Sequence, residues 1–246
     1  MKKLVTAFAA CALAGAVFAQ VESVNIVGYA TTAINSATWY QIAPTFIPVQ
    51  GTENDGTAIN DIFTTGFAEG DAIYVWNQTT QSYDAYSWLN EPMDENGETT
   101  SAGWADASGM RTAATLKIGQ AVFMRKASAE ATTVVFSGEV KSALVTTVPS
   151  AAWAQVSLPY PVDTALNDSI SWTGFSEGDK VYLWNVLAQS YDFYSWLNEP
   201  TDENGDPTIA GWADTGDVRT SVALPLGSSM FIYKVSDGDG TFGLVQ

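Results

Sequence analysis

Two apolar runs, Ala72-Ile73-Tyr74-Val75-Trp76 and Tyr83-Asp84-Ala85-Tyr86-Ser87-Trp88, flank a polar stretch from Asn77 to Ser82. β-Branched and aromatic residues on either side of a polar turn predict a β-hairpin. Ala121-Val122-Phe123-Met124, entered through Gly119, and Thr133-Val134-Val135-Phe136 predict two further strands. Helical spacing is confined to Ile59, Ile62 and Phe63, whose i, i+3, i+4 positions predict one or two turns. Short strands about ten residues apart with turn signals between them predict a sandwich or barrel.

The pattern occurs twice. Gly66-Phe67-Ala68-Glu69-Gly70-Asp71 recurs as Gly174-Phe175-Ser176-Glu177-Gly178-Asp179, and the offset of 108 holds without a gap to the C-terminus. Upstream, Trp39-Tyr40-Gln41-Ile42 aligns with Trp153-Ala154-Gln155-Val156 at an offset of 114, so the first copy carries six extra residues, placed within residues 50–56. Eight of the nine Trp fall into the matched pairs 39/153, 76/184, 88/196 and 104/212, so the duplication is carried by the largest apolar side chains. The predicted fold class is all-β: two tandem homologous sandwich or barrel-like modules, residues 20–138 and 139–246, behind a leader at 1–19.

That leader has Lys2 and Lys3 ahead of an apolar run from Leu4 to Phe18, with Val17-Phe18-Ala19 supplying small residues at −3 and −1. This is the pattern of a secretory signal cleaved before Gln20. About 15 apolar residues fall short of the roughly 20 needed to span a bilayer, so no membrane span is expected after cleavage. Cys11 leaves with the leader, and the remaining chain has no Cys and a net charge of −19. A secreted, periplasmic or cell-surface protein without disulfides has to be held by its core.

Composition removes whole classes of function. The chain of 246 residues contains no His, which excludes Ser-His-Asp and Cys-His relays and His-containing zinc sites. Its net charge of −17 opposes a phosphate backbone, so nucleic acid is not an expected partner.

Both copies follow one order: Trp-x-x-aliphatic-Ser/Ala-x-x-Pro, a short helix, Gly-Asp-x-aliphatic-Tyr-x-Trp-Asn, a Tyr-containing strand, Gly-Trp, Leu-x-x-Gly, and a Phe-containing strand. In this order the chain resembles an uncharacterised tandem β-module family of exported bacterial proteins. The first copy departs from it by having Pro44 and Thr45 where the second has Leu158 and Pro159. The shared motifs are packing motifs, so the resemblance implies fold and export and no catalytic residues.

Three groups of residues could carry chemistry. Trp88-Leu89-Asn90-Glu91-Pro92, repeated as Trp196-Leu197-Asn198-Glu199-Pro200, resembles the acid/base string of barrel-fold glycosidases. Such a site belongs at the end of a strand in an eight-fold βα barrel, and these modules are too short and too poor in helix for one. Asn90, Glu91 and their counterparts are therefore expected at a turn, bonding loop amides, and not in catalysis. Asp94, Asn96 and Glu98, with Asp202, Asn204 and Asp206, place oxygen ligands at alternate positions and make calcium the only cofactor suggested. The loop departs from the established pattern, since Gly is fourth and the twelfth residue is Ala105 or Ala213; a plain turn explains it as well.

The third group is aromatic. Tyr74, Trp76, Tyr86 and Trp88 share even numbering, as do Tyr182, Trp184, Tyr194 and Trp196, and alternation predicts one common face for each set. With Trp104, Trp212, Asn90 and Asn198 beside them they would form a sugar-binding surface of rings rimmed by amides. Alternatively, the segment from Asn90 to Gly109 folds over the rings, or the two modules pack on each other there. From Ser82 to Asp106, 20 of 25 positions match between copies, against 6 of 20 from Ala107 to Lys126. A loop that diverges less than a strand either binds something, is packed like core, or records recent partial gene conversion between the copies. The expected function is a non-enzymatic surface or extracellular binding component with a glycan or cell-surface partner. The alternative is a structural subunit of a matrix, layer or fibre that self-associates through sheet edges. A glycoside-processing enzyme comes third.

Overall fold

Apolar residues at alternate positions drive almost every described segment into short strands. The computed structural model describes residues 27–48, 55–140, 144–158, 160 and 162–244; the predicted leader lies outside them. In chain order the first half forms β1 (Val27–Ile34), β2 (Thr38–Ile42), β3 (Thr57–Ala58), α1 (Ile59–Ile62), β4 (Ala72–Asn77), β5 (Ser82–Leu89), β6 (Gly103–Ala105), β7 (Thr115–Leu116), β8 (Val122–Lys126) and β9 (Thr132–Glu139). The second forms β10 (Thr146–Val148), β11 (Ala152–Ser157), β12 (Thr164–Ala165), β13 (Ile170–Thr173), β14 (Lys180–Asn185), β15 (Ser190–Leu197), β16 (Gly211–Ala213), β17 (Ala223–Leu224), β18 (Ser229–Lys234) and β19 (Gly240–Leu244). Among the described residues the protein is all-β apart from the single turn at α1, which buries Ile59 and sets Phe63 edge-on to Trp104 and Phe136.

Strand order repeats between the halves. A five-stranded antiparallel sheet runs β2-β8-β4-β5-β6 in the first half and β11-β18-β14-β15-β16 in the second. Over its inner face lies β1-β9 in one case and β10-β19-β13 in the other. Glu139, where the sequence places the border, is the last residue of β9 and pairs with Val27. The ninth Trp, Trp172 on β13, packs against Trp212 and Phe242 and fills the place that Phe63 takes in the first half.

Two apolar cores result. Tyr40, Ile42, Ile73, Val122, Met124, Trp88 and Trp104 of one sheet meet Ala30, Ile34, Val134 and Phe136 of β1-β9. Ala154, Val156, Val181, Trp196, Trp212, Met230 and Ile232 meet Val148, Ile170 and Phe242 in the other.

Each core contains a buried ion pair that the sequence reading did not anticipate. Asp71 follows Gly70, whose φ of 98° is costly for any residue with a Cβ. Asp71 Oδ2 accepts from Lys126 Nζ at 2.8 Å, from Ser128 Oγ and from the Ala68 amide. Its Oδ1 accepts the Ala127 and Ser128 amides, while its own carbonyl receives the Trp88 amide. One carboxylate thus ties the turn before β4 to the end of β8 and to β5. Asp179, Lys234 and Ser236 repeat the arrangement, with Nζ to Oδ2 at 3.2 Å. Both ion pairs are fully buried, and each ammonium lies over a ring, Phe67 or Phe175.

Burial alone would raise these carboxyl pKa values. At Asp71 hydrogen bonds from Lys126, Ser128 and amides outweigh it, at Asp179 those from Ser236 and amides do, and both carboxyls end below their ordinary value. A depressed folded pKa gives stability that is present above the ordinary carboxylate range and is lost as pH falls through it. We therefore expect stability to decline below about pH 4. Asp71→Asn, which leaves Lys126 charged and unpaired, should cost about 3–5 kcal/mol, read as a lowered denaturant midpoint at neutral pH. A midpoint equal to that of the wild type would show that the pair holds nothing together.

Candidate functional site

The two hairpins carry most of the residues singled out from the sequence, and their register decides where the rings point. Asn77 pairs with Ser82 and Tyr74 with Ala85, so an even position on β4 lies opposite an odd position on β5. Tyr86 and Trp88 consequently share the inner face with Ile73 and Val75, while Tyr74 and Trp76 share the outer face with Tyr83. The expectation of one common face is corrected by this register: the connection across the turn reverses parity. In the second half Trp184 pairs with Tyr191, which likewise separates Tyr182 and Trp184 from Tyr194 and Trp196.

The inner set is core. Trp88 stands opposite Trp104 and Trp196 opposite Trp212, with ring centroids 5.3 and 5.2 Å apart and nearly perpendicular planes. All four are buried, Trp104 and Trp212 completely. Asn60 Nδ2 donates to the Trp104 and Thr112 carbonyls and its Oδ1 accepts the Trp104 amide, and Asn167 does the same around Trp212. Tyr86 and Tyr194 are half-buried; burial and then the nearby Asp84 or Asp192 raise their phenols.

The outer set joins the halves. Trp76 Nε1 donates to the Trp153 carbonyl at 3.1 Å, and Trp184 Nε1 donates to the Trp39 carbonyl at 2.9 Å. Trp76 meets Phe231 edge-on at 4.9 Å, and Trp184 meets Phe123 at 4.8 Å. Gln81 at the tip of the first hairpin accepts the Trp153 amide and donates to its carbonyl, and Gln189 does the same for Trp39. Each glutamine sits at a positive φ, 52° and 51°. That strain, of order 1–3 kcal/mol, aims the side-chain amide at the edge strand of the other half. Each of these contacts has its reciprocal, as in an isologous interface, while the Ser157 amide bond to the Gly119 carbonyl is made on one side only.

Tyr83, facing Phe231, and Tyr191, facing Phe123, also lie at this joint. Burial raises both phenols, Tyr191 to about 12, and the Tyr191 charge raises Tyr83 further. A raised tyrosine pKa gives stability that is present below the unfolded value of about 10 and is lost as pH rises through the folded one. Stability should therefore fall between about pH 10 and pH 12, with ionisation of Tyr83 and Tyr191, followed by NMR of the assigned rings, coinciding with unfolding. Ionisation of these two rings at about pH 10 with the fold intact would contradict burial at the joint.

The loop matched between copies is packed and self-bonded. Met93 and Gly109, Pro92 and Thr100, and Asp106 and Met110 are joined by backbone hydrogen bonds, repeated in residues 198–219. Arg111 Nη1 donates to the Ser101 and Ala102 carbonyls. Loop amides are accepted by Asp94 and Asp106, and by Asp202 and Asp214. The sequence assigned that role to Asn90 and Glu91. Instead Asn90, Glu91, Asn198 and Glu199 are exposed and make no side-chain hydrogen bond among the described residues.

Of the calcium candidates, Asp94 and Asp202 each direct Oδ1 at two amides, which lowers the carboxyl pKa. Among the described residues no group of three or more acidic, His or Cys side chains is arranged to hold a metal ion. Asp94, Asn96 and Glu98, like Asp202, Asn204 and Asp206, form a tight turn. The melting midpoint should be the same in chelator and in millimolar calcium, whereas a ligand bound only by the folded state would raise it.

A cleft of about 560 Å³ opens beside the joint, lined by Trp76, Gln78, Lys117, Gln120, Thr146 and Gln155 among others. The Gln155 amide is buried without a hydrogen-bond partner, and so is that of Gln41 at the equivalent place in the other sheet. Both copies thus share the unpartnered amide at this position of the sheet. In comparison with known proteins, no protein-family model matches the chain, and no curated protein is significantly similar to it.

Proposed function

We propose that the chain is an exported, non-enzymatic protein of two tandem β modules that serves as a structural component of an extracellular or cell-surface layer, matrix or fibre. The observation that carries this reading is the use to which the matched aromatic residues are put. Trp88, Trp104, Trp196 and Trp212 build two cores, and Trp76 and Trp184 fasten one half to the other. Side chains that could have read a ligand twice over serve construction. What faces solvent is largely acidic and polar, consistent with a stable block that acts through its outer surface. The apolar leader supports export.

The absence of His and the exposed, unsupported position of Glu91 and Glu199 argue against catalysis, since a general acid needs an environment that tunes it. A glycan-binding component is the second reading. It rests on the outer strip of Tyr233, Trp153, Tyr182 and Phe193, with Lys180 over Phe193. Tyr233 stacks on Trp153 at 4.4 Å, and the pairs at 5.3 and 5.9 Å are tilted against each other, so these rings pack largely on one another. Phe193, at the end of the row and 42% exposed, is the most open of these rings to a sugar.

Two measurements separate the readings. Sedimentation of the purified chain beginning at Gln20 should show concentration-dependent assembly, and a glycan array should give no signal above background. Specific glycan binding lost in Phe193→Ala would replace the structural reading with the second. A Glu91→Gln, Glu199→Gln double variant should keep the wild-type melting midpoint to within about 1 kcal/mol of stability, as expected for exposed side chains. A glycosidase activity that this variant abolishes would establish the enzyme instead.

A further inference from the structure

Resting on the structural reading, we propose that the outer edge of β1 is the self-association surface, and that its occupant is β1 of a second copy of this chain, paired antiparallel. The edges of the two large sheets are closed from within. Gln189 and Gln81 bond β2 and β11 at Trp39 and Trp153, and the Ser157 amide bonds Gly119. Asn60 and Asn167, with the Thr112 and Thr220 amides, close β6 and β16 at Trp104 and Trp212. β1 is eight residues long, pairs on one side only, with β9, and has no partner on its other side among the described residues.

The direction of its free groups follows from the ladder. Glu139 exchanges both backbone hydrogen bonds with Ile47, so its N–H and C=O point away from β1. Val27, opposite Glu139, is then in a non-hydrogen-bonded pair, and its own groups point outward. The period of two extends this to Tyr29, Thr31 and Ala33. Four donors and four acceptors line the edge.

The same four residues also carry the solvent-facing side chains; Tyr29 is 76% exposed. A two-fold axis at Ala30 sets Tyr29 of one copy opposite Thr31 of the other and Val27 opposite Ala33, all in the hydrogen-bonded position. No charge lies in β1, and the adjoining solvent-facing positions on β9 are Thr133, Val135 and Ser137. On a chain of net charge −17 this uncharged strip lets two copies approach without juxtaposed like charges.

The second copy differs from β1 in sequence and in strand length. At the offset of 114, Val27 corresponds to Lys141 and Tyr29 to Ala143, and its strand β10 has three residues. A lysine and a short strand are the usual protections against edge pairing, and β1 has neither.

The test uses the chain from Gln20 onward and compares wild type with Thr31→Lys, whose side chain faces solvent, by sedimentation velocity across a concentration series. A Val27→Lys, Tyr29→Ala double variant, which writes the second copy's residues into β1, is the second probe. Circular dichroism melting monitors the fold of each. We expect wild type to dimerise and both variants to associate at least about tenfold more weakly with unchanged melting, a loss of 1.4 kcal/mol or more. Assembly of either folded variant with wild-type affinity would overturn the β1 edge while leaving the structural reading intact. A wild-type chain that stays monomeric throughout would overturn both. If Thr31→Lys alone failed to fold, the double variant would decide.

Discussion

A sheet that is apolar on both faces has to be covered on both, and the rest of this molecule follows from how that is done. In each half the inner face is covered by a second layer of the same half. The outer face, which carries Trp39, Tyr74, Trp76 and Phe123 in one half and Trp153, Tyr182, Trp184 and Phe231 in the other, is covered in part by its counterpart. Burying indole and phenyl rings at about 25 cal/mol per Å² makes this joint a large favourable term without disulfides. The indole N–H groups of Trp76 and Trp184 would be costly to bury unpaired, and each finds a carbonyl on the opposite edge strand. Burial and satisfaction are thus met by the same two residues.

The hairpin tips extend the argument to specificity. Gln81 and Gln189 present an amide with one donor and one acceptor to a strand edge that offers one of each, the geometry of a neighbouring strand. The joint therefore closes two edges that would otherwise be templates for pairing. Closing them in this way makes the open edge of β1 conspicuous. The two copies are alike in the tryptophans and glutamines that build the joint and differ at solvent-facing positions such as Ala85 against Phe193.

Much of the fold was legible because it depends on local alternation. The runs at residues 72–76 and 83–88, the strands near residues 121 and 133, and the turn at Ile59, Ile62 and Phe63 are each set by their own sequence. Face assignment was not legible from parity alone, because it depends on whether the turn pairs Asn77 with an even or an odd partner. Ser82 is that partner, and Gln81 in the left-handed region makes it so; no simple propensity announces a glutamine there. The ion pair was equally hidden. Asp71 and Lys126 are 55 residues apart, and the only signal is that Lys126 and Ser128 recur as Lys234 and Ser236 at the offset that also relates Asp71 to Asp179. The stretch matched between copies from Ser82 to Asp106 holds the packing of Trp104 and the bonds of Asn60 and Asp106, which give it a structural constraint of its own.

The most direct test of the claim that the matched rings build the molecule is exchange of the indole N–H groups, followed by NMR on chain labelled with nitrogen-15 tryptophan. Trp104, bonded to the Phe63 carbonyl in the core, serves as the internal reference for protection. The account predicts that the indole N–H groups of Trp76 and Trp184 exchange far more slowly than free indole and lose protection together when either hairpin tip is cut back by Gln81→Ala or Gln189→Ala. Exchange of both at the rate of free indole in the intact chain would mean that the outer faces are open and that the joint described here does not hold the two halves together.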